Sequence, residues 1–163
     1  MPSVFLTSIL IFIFDQLTKY WAGLSLSSRN TYPIIKNVFH LTLIHNRGAA
    51  FGFFQGGAFL FVLTSVICII LIFFAIRNNT LFFKFFGVEI KDRGIRLALG
   101  LILGGACGNL LDRLRFSYVV DFLDFRIWPV FNIADSAITI GGILFFLKIL
   151  KTSKRRNNVS GSL

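Results

Sequence analysis

The stretch A-F-L-F-V-L-T-S-V-I-C-I-I-L-I-F-F-A-I, residues Ala58–Ile76, contains no charged side chain. Wound as a helix it is about 28 Å long, close to the roughly 30 Å of hydrocarbon in a bilayer, so it reads as a membrane span. Three further stretches have comparable length and apolar character: Val4–Leu24, Ile95–Leu111 and Ile133–Leu150. Unlike the first, each carries polar residues: Asp15 and Lys19, Asn109, and Asp135. The whole chain agrees with four spans. Its 163 residues are 55% hydrophobic and only 15% charged, with a mean hydropathy of +0.77. Soluble domains run at about 45–50% apolar and about 25% charged, so a disordered chain is excluded and a soluble one disfavoured. The length suits a single domain, 1–163.

Seventeen Lys and Arg against seven Asp and Glu give a net charge of +10. In a soluble protein that would suggest nucleic acid. Here the basic residues sit in short segments between apolar runs, which is the pattern that orients a membrane protein, and no nucleic-acid partner is expected. Arg77, Lys84, Lys91, Arg93 and Arg96 lie between spans two and three; Lys148, Lys151, Lys154, Arg155 and Arg156 follow in the tail. Both groups are expected on the cytoplasmic side, with both termini, leaving residues 25–57 and 113–131 outside. Leu81–Val88 is too short to span and is expected at the interface, with Lys84 reaching to the headgroups. The N-terminus lacks the charged region and cleavage site of a removable leader, so the first span is expected to be retained. The tail, 151–163, is polar and expected to be disordered.

In the first outer loop, Asn37–Asn46 alternates Phe39, Leu41 and Leu43 with more polar residues, which predicts a short strand or hairpin. Gly48 and Gly52 flank Ala49, Ala50 and Phe51, small enough in part for close backbone approach. Cys68 and Cys107 lie in apolar runs and read as small buried hydrophobes.

The carboxylates are unevenly placed. Glu89 and Asp92 fall in the cytoplasmic loop, while Asp15, Asp112, Asp121, Asp124 and Asp135 gather at the outer ends of the spans or the loop joining the last two. Charge at or near the bilayer is costly and points to function. Asp15 and Lys19 are spaced i, i+4 in the favourable order; the pair either closes a helix end at the headgroups or organises a site. Asn109, Asp112 and Arg113 share one helix face and need polar partners away from lipid. Asp121 lies in V-V-D-F, an extended pattern. Asn132, after Pro129, is a good helix cap and puts Asp135 at the third helical position, where an acid completes a capping box.

Several chemistries fit poorly. His40 and His45 are the only histidines, H-E-x-x-H and G-x-S-x-G are absent, and a Ser136–Lys19 pair has no favourable spacing. An aspartate pair sharing a proton could activate water without metal or cofactor. Two aspartates fourteen residues apart are not by themselves a specific signal. An ion-coupled transporter would also use intramembrane Asp and Lys, but with polar groups distributed along a path across the bilayer.

The blocks D-Q-L-T-K (15–19), N-R-G-A-A-F-G (46–52), G-N-L-L-D-R (108–113), V-V-D-F (119–122) and F-N-I-A-D-S (131–136) together resemble the bacterial lipoprotein signal peptidases, signal peptidase II. They stand in that family's order and extend over nearly the whole chain. The resemblance implies an aspartic endopeptidase of the inner membrane. Such an enzyme removes the signal peptide from diacylglyceryl-modified prolipoproteins, on the amino side of the lipidated cysteine, with no cofactor or metal. It implies an all-α membrane fold of four transmembrane helices, a small extracytoplasmic β-cradle over about 30–52, and a short outer loop between helices three and four. It assigns catalysis to Asp121 and Asp135. It gives Asp15, Lys19, Asn46, Gly48, Asn109, Asp112, Arg113, Asn132 and Ala134 substrate-binding or site-organising roles. Prolipoproteins and membrane lipids are the expected partners, and the chain is expected to act as a monomer.

Overall fold

The computed structural model describes residues 2–27, 31–48 and 58–160. Ala49, Ala50, Phe51 and Gly52, expected to finish the cradle, lie outside the described residues. Four long helices and a three-stranded sheet make up the fold: α1 (Pro2–Ser25), β1 (Thr31–Ile35), β2 (Phe39–Asn46), α2 (Ala58–Arg77), a short α3 (Asn79–Phe86), α4 (Arg93–Phe116), β3 (Val119–Asp124) and α5 (Ile133–Ser160). Helices α1, α2, α4 and α5 are each long and apolar enough to cross a membrane. The short α3 occupies the segment expected at the interface.

Two differences from the sequence expectation have local causes. Helix α4 starts two residues earlier and ends five later than the apolar run. Asp92 caps its start, with Oδ1 accepting from the backbone N–H groups of Gly94 (2.7 Å) and Ile95 (3.1 Å). Ser117 ends it in the left-handed conformation (φ 61°), its N–H donating to the Arg113 carbonyl. Asp112 and Arg113 therefore belong to a continuing helix. Helix α5 runs through Lys151 to Ser160, where a disordered tail was expected. No Gly or Pro interrupts that segment, and its Lys and Arg favour helix.

Helix α4 is the central element and the most buried of the four spans. Its face toward α1 is a stripe of Gly100, Gly104 and Gly108, which lets the backbones meet. A Cβ at Gly104 would stand 2.6 Å from the Ser8 carbonyl oxygen. The other spans turn large apolar side chains outward, such as Leu10 and Leu17 on α1 and Ile70 and Leu71 on α2, as lipid contact requires.

The sheet is antiparallel in the order β1-β2-β3. Asn37, in the left-handed conformation at φ 63°, turns β1 into β2. Ala22 of α1 and Leu26, just past its end, pack with Leu43, Val120 and Phe122, which fixes the sheet to one end of the helices. A separate apolar cluster, including Val4, Ile72, Phe82, Ile90 and Leu99, holds the other end.

Candidate active site

After β3 the chain loops back and Phe131 pairs with Leu123. Leu123 N–H donates to the Phe131 carbonyl (2.8 Å) and Phe131 N–H to the Leu123 carbonyl (3.0 Å). This return places Asn132, the cap of α5, beside β3. The capping box is realised: Asp135 N–H donates to Asn132 Oδ1 (2.9 Å), and Asn132 N–H donates to Asp135 Oδ2 (3.3 Å). The Asn132 amide also donates to Asp121 Oδ1 (2.7 Å), Asn109 Oδ1 (3.1 Å) and the Val120 carbonyl (3.3 Å). One fully buried asparagine thus bonds both Asp121 and Asp135.

Each of the two carboxylates has a second support. Asn46 Nδ2 donates to Asp121 Oδ2 at 2.8 Å. Asn46 pairs with Val119 across the sheet, so Asp121, two residues on, is its diagonal neighbour on the same face. The Gly48 N–H donates to Asn46 Oδ1 (3.0 Å) and fixes which end of that amide meets Asp121. Asn109 Nδ2 donates to Asp135 Oδ1 at 2.7 Å.

Behind this pair lies a buried ion cluster. The Lys19 ammonium meets Asp15 Oδ2 (2.9 Å), Asp112 Oδ2 (3.0 Å) and Asn109 Oδ1 (2.9 Å). Asp15 Oδ1 accepts from the Ala134 N–H at the start of α5 (2.9 Å), where negative charge also favours the helix end. Asp112 Oδ2 accepts from Val120 N–H (3.2 Å). Asp15 and Lys19 are buried, so the headgroup alternative does not hold; the pair ties α1 to α4 and α5. Gly108 makes room for it, since a Cβ there would collide with Asp15 Oδ2.

Sequence reasoning passed over Gln16. Its amide donates to Asp15 Oδ2 (3.1 Å), Asp112 Oδ1 (3.0 Å) and the Gly108 carbonyl (3.3 Å). Its place between Asp15 and Lys19 was the available signal. Asp124, grouped with the other outer carboxylates by position, is bound elsewhere. It accepts from Thr42 Oγ1 (2.8 Å), and from the backbone (2.8 Å) and guanidinium (3.1 Å) of Arg126. Burial opposes its ionisation, but these bonds outweigh it and hold the carboxyl below its ordinary range.

Asp121 and Asp135 both line a cavity of about 270 Å³, with Asn46, Arg113, Trp128 and Phe131 among its walls. The Arg113 guanidinium lies over the Phe61 ring, 5.1 Å from its centre. Burial, and then the negative charge of Asp135, push the Asp121 carboxyl up to about 7, against the lowering effect of Asn46 and Asn132. A carboxyl poised near neutrality in a cleft can hold or release a proton during a reaction. Among the described residues, no group of three or more His, Cys, Asp or Glu side chains forms a metal-ligating set.

The family model described as Signal peptidase (SPase) II matches residues 7–151. The chain belongs to the signal peptidase II family. It is 42% identical to the lipoprotein signal peptidase of Halothermothrix orenii over 156 residues, 93% of this chain and 97% of that protein. It is 45% identical to that of Moorella thermoacetica over 146 residues, 89% and 91% of the two chains. A solved bacterial membrane enzyme structure, determined in meso at 2.3 Å, superposes with a TM-score of 0.81. It is 31% identical and covers 95% of this chain and 92% of that one. Membership in the signal peptidase II family makes the protein a multi-pass membrane peptidase. The described residues of the sequence blocks, Asp15 and Lys19, Asn46, Asn109 and Asp112, Asp121, and Asn132 with Asp135, come together beside β3.

Proposed function

We propose that this protein cleaves the signal peptide from diacylglyceryl-modified prolipoproteins on the amino side of the lipidated cysteine, with Asp121 and Asp135 as a water-activating pair. The observation that carries this reading is the shared support of the two carboxylates by Asn132, at the wall of one cavity. Asp121, raised toward neutrality, is the proton donor of the pair, and Asp135, in the first turn of α5, is assigned the role of base. Asp135 takes a proton from water as the water oxygen attacks the scissile carbonyl carbon. Asp121 gives its proton to the carbonyl oxygen, forming a neutral tetrahedral diol. The roles then reverse: Asp121 takes back a hydroxyl proton, Asp135 protonates the leaving nitrogen, and the C–N bond breaks. No covalent intermediate, metal or cofactor takes part.

The other motif residues have positioning roles. Asn46, with Gly48, and Asn109 aim the carboxylates; Asp15, Lys19, Asp112 and Ala134 lock the helix ends that carry them. Arg113, on the cavity wall, is placed to meet polar parts of the substrate. The site lies at the outer rim of the inner membrane, both termini are cytoplasmic, and the enzyme works as a monomer. The signal helix and acyl chains arrive laterally from lipid.

The test is cleavage of a lipidated precursor by purified protein in detergent. Asp121→Asn and Asp135→Asn should each lower turnover by about a hundredfold or more. Near-normal turnover in both variants would falsify the assignment.

A further inference from the structure

We propose, on the peptidase reading of the Asp121–Asp135 cavity, that Phe61 of α2 is a positioning residue of that site. Its ring holds the Arg113 guanidinium at the cavity wall, where the N–H donors meet carbonyl oxygens of the bound peptide. The backbone at Arg113 is anchored by its neighbours. Asp112 is bonded to Lys19 (3.0 Å) and to the Val120 N–H (3.2 Å), and Asn109, one turn earlier, to Asp135 (2.7 Å). The long side chain has no such anchor. Its guanidinium donates to the Asn109 carbonyl at a long 3.5 Å and forms no ion pair among the described residues. It lies instead over the Phe61 ring, its central carbon 5.1 Å from the ring centre, within the range of cation–π attraction.

Phe61 also stands apart from its neighbours on α2. Phe59, Leu60 and Leu63 are exposed, as lipid contact requires, whereas Phe61 is half-buried and lines the cavity beside Asp121, Asp135 and Arg113. Both hydroxyl groups of α2 go to its backbone: Thr64 Oγ1 and Ser65 Oγ donate to the Phe61 carbonyl at 3.1 and 2.8 Å. Hydroxyl bonds of this kind set the local course of a helix. A span with no charge before its last residue thus delivers one aromatic ring to a polar site. The choice of a ring has a chemical consequence. A carboxylate in its place would neutralise the guanidinium and occupy its donors. A ring face attracts the cation without cancelling its charge, which leaves the donors for a ligand. Arginine donates and never accepts, so the matching groups on a peptide are its carbonyl oxygens.

The test is a double-mutant cycle on the full chain in detergent. Cleavage is followed on a lipidated precursor peptide, and binding on the same peptide with its scissile amide reduced to an uncleavable methylene-amine. Phe61→Leu keeps an apolar side chain but removes the ring. It should raise KM and the dissociation constant about fivefold, with kcat unchanged. Phe61→Met is a second ring-free variant, for use if leucine unfolds the helix end. Phe61→Tyr keeps the ring and should bind and cleave as the parent does. In an Arg113→Gln background Phe61→Leu should have no further effect, because the group it positions is gone. An equal loss in both backgrounds would assign the ring to direct substrate packing or to the fold, and overturns the proposal. So does unchanged binding in both ring-free variants, or a tyrosine variant as weak as the leucine one. A parent protein that binds the uncleavable peptide but cuts no precursor would defeat the aspartate chemistry alone, and the coupling of Phe61 to Arg113 would still be read from binding. A parent protein that binds neither peptide would overturn the substrate reading and this inference with it.

Discussion

Lys19 offers three N–H donors and meets three oxygen acceptors on α1 and α4, with almost no exposed surface. Its removal leaves two buried carboxylates without their cation. Lys19→Met should cost about 3–5 kcal/mol, read as a loss of thermal stability in detergent. Lys19→Arg keeps the charge, but a planar fork does not match three acceptors arranged around one nitrogen, so cleavage should still fall. Unchanged kinetics in the arginine variant would contradict this packing. Asp121 gives a prediction in pH. Its folded-state pKa of about 7 lies above the ordinary 3.8, so the folded protein holds this proton more tightly than the unfolded chain. Its contribution to stability is fully present below 3.8 and is lost as pH rises through about 7. Thermal unfolding should show that decline, and Asp121→Asn should flatten it. Cleavage should fall over the upper part of the same range, as the proton needed by the carbonyl oxygen is lost.

At the scale of elements, α4 organises the bundle because it can be approached closely. Gly104→Ala places a methyl group against the Ser8 carbonyl, and backbone cannot yield as a side chain can. We expect about 1–3 kcal/mol of destabilisation, measured as a lowered unfolding temperature. The glycine stripe was hidden in the sequence because small residues in an apolar run look the same whether or not another helix lies against them. The spans were legible, since charge-free length is a direct requirement of the bilayer. So was the Asn132–Asp135 cap, because its geometry depends only on local spacing. The grouping of Asp15 with Ala134 was not, since no periodicity links α1 to α5. Asp124 misled for the same reason: membrane depth can be read from position, while hydrogen-bond partners depend on strand register.

On the scale of the whole molecule, the polar residues divide by end. The inward-turned acids and their partners collect beside the sheet, and the surplus of Lys and Arg collects at the opposite end. The positive end should remain in the cytoplasm. Reporters fused to either terminus should both be active only in the cytoplasm; a periplasmic signal from either would reverse the proposed orientation.

The bond between Asp15 and the Ala134 amide joins positions 119 residues apart. During synthesis the first helix leaves the ribosome long before its partners exist. Its acid and its ammonium can then neutralise each other, but the asparagine, the second acid and the backbone donor that complete the cage are still untranslated. Until the final segment arrives, that ion pair lacks the partners that satisfy it in the folded chain. A chain truncated before that segment would leave an incompletely solvated ion pair in lipid, a natural mark for quality-control proteolysis.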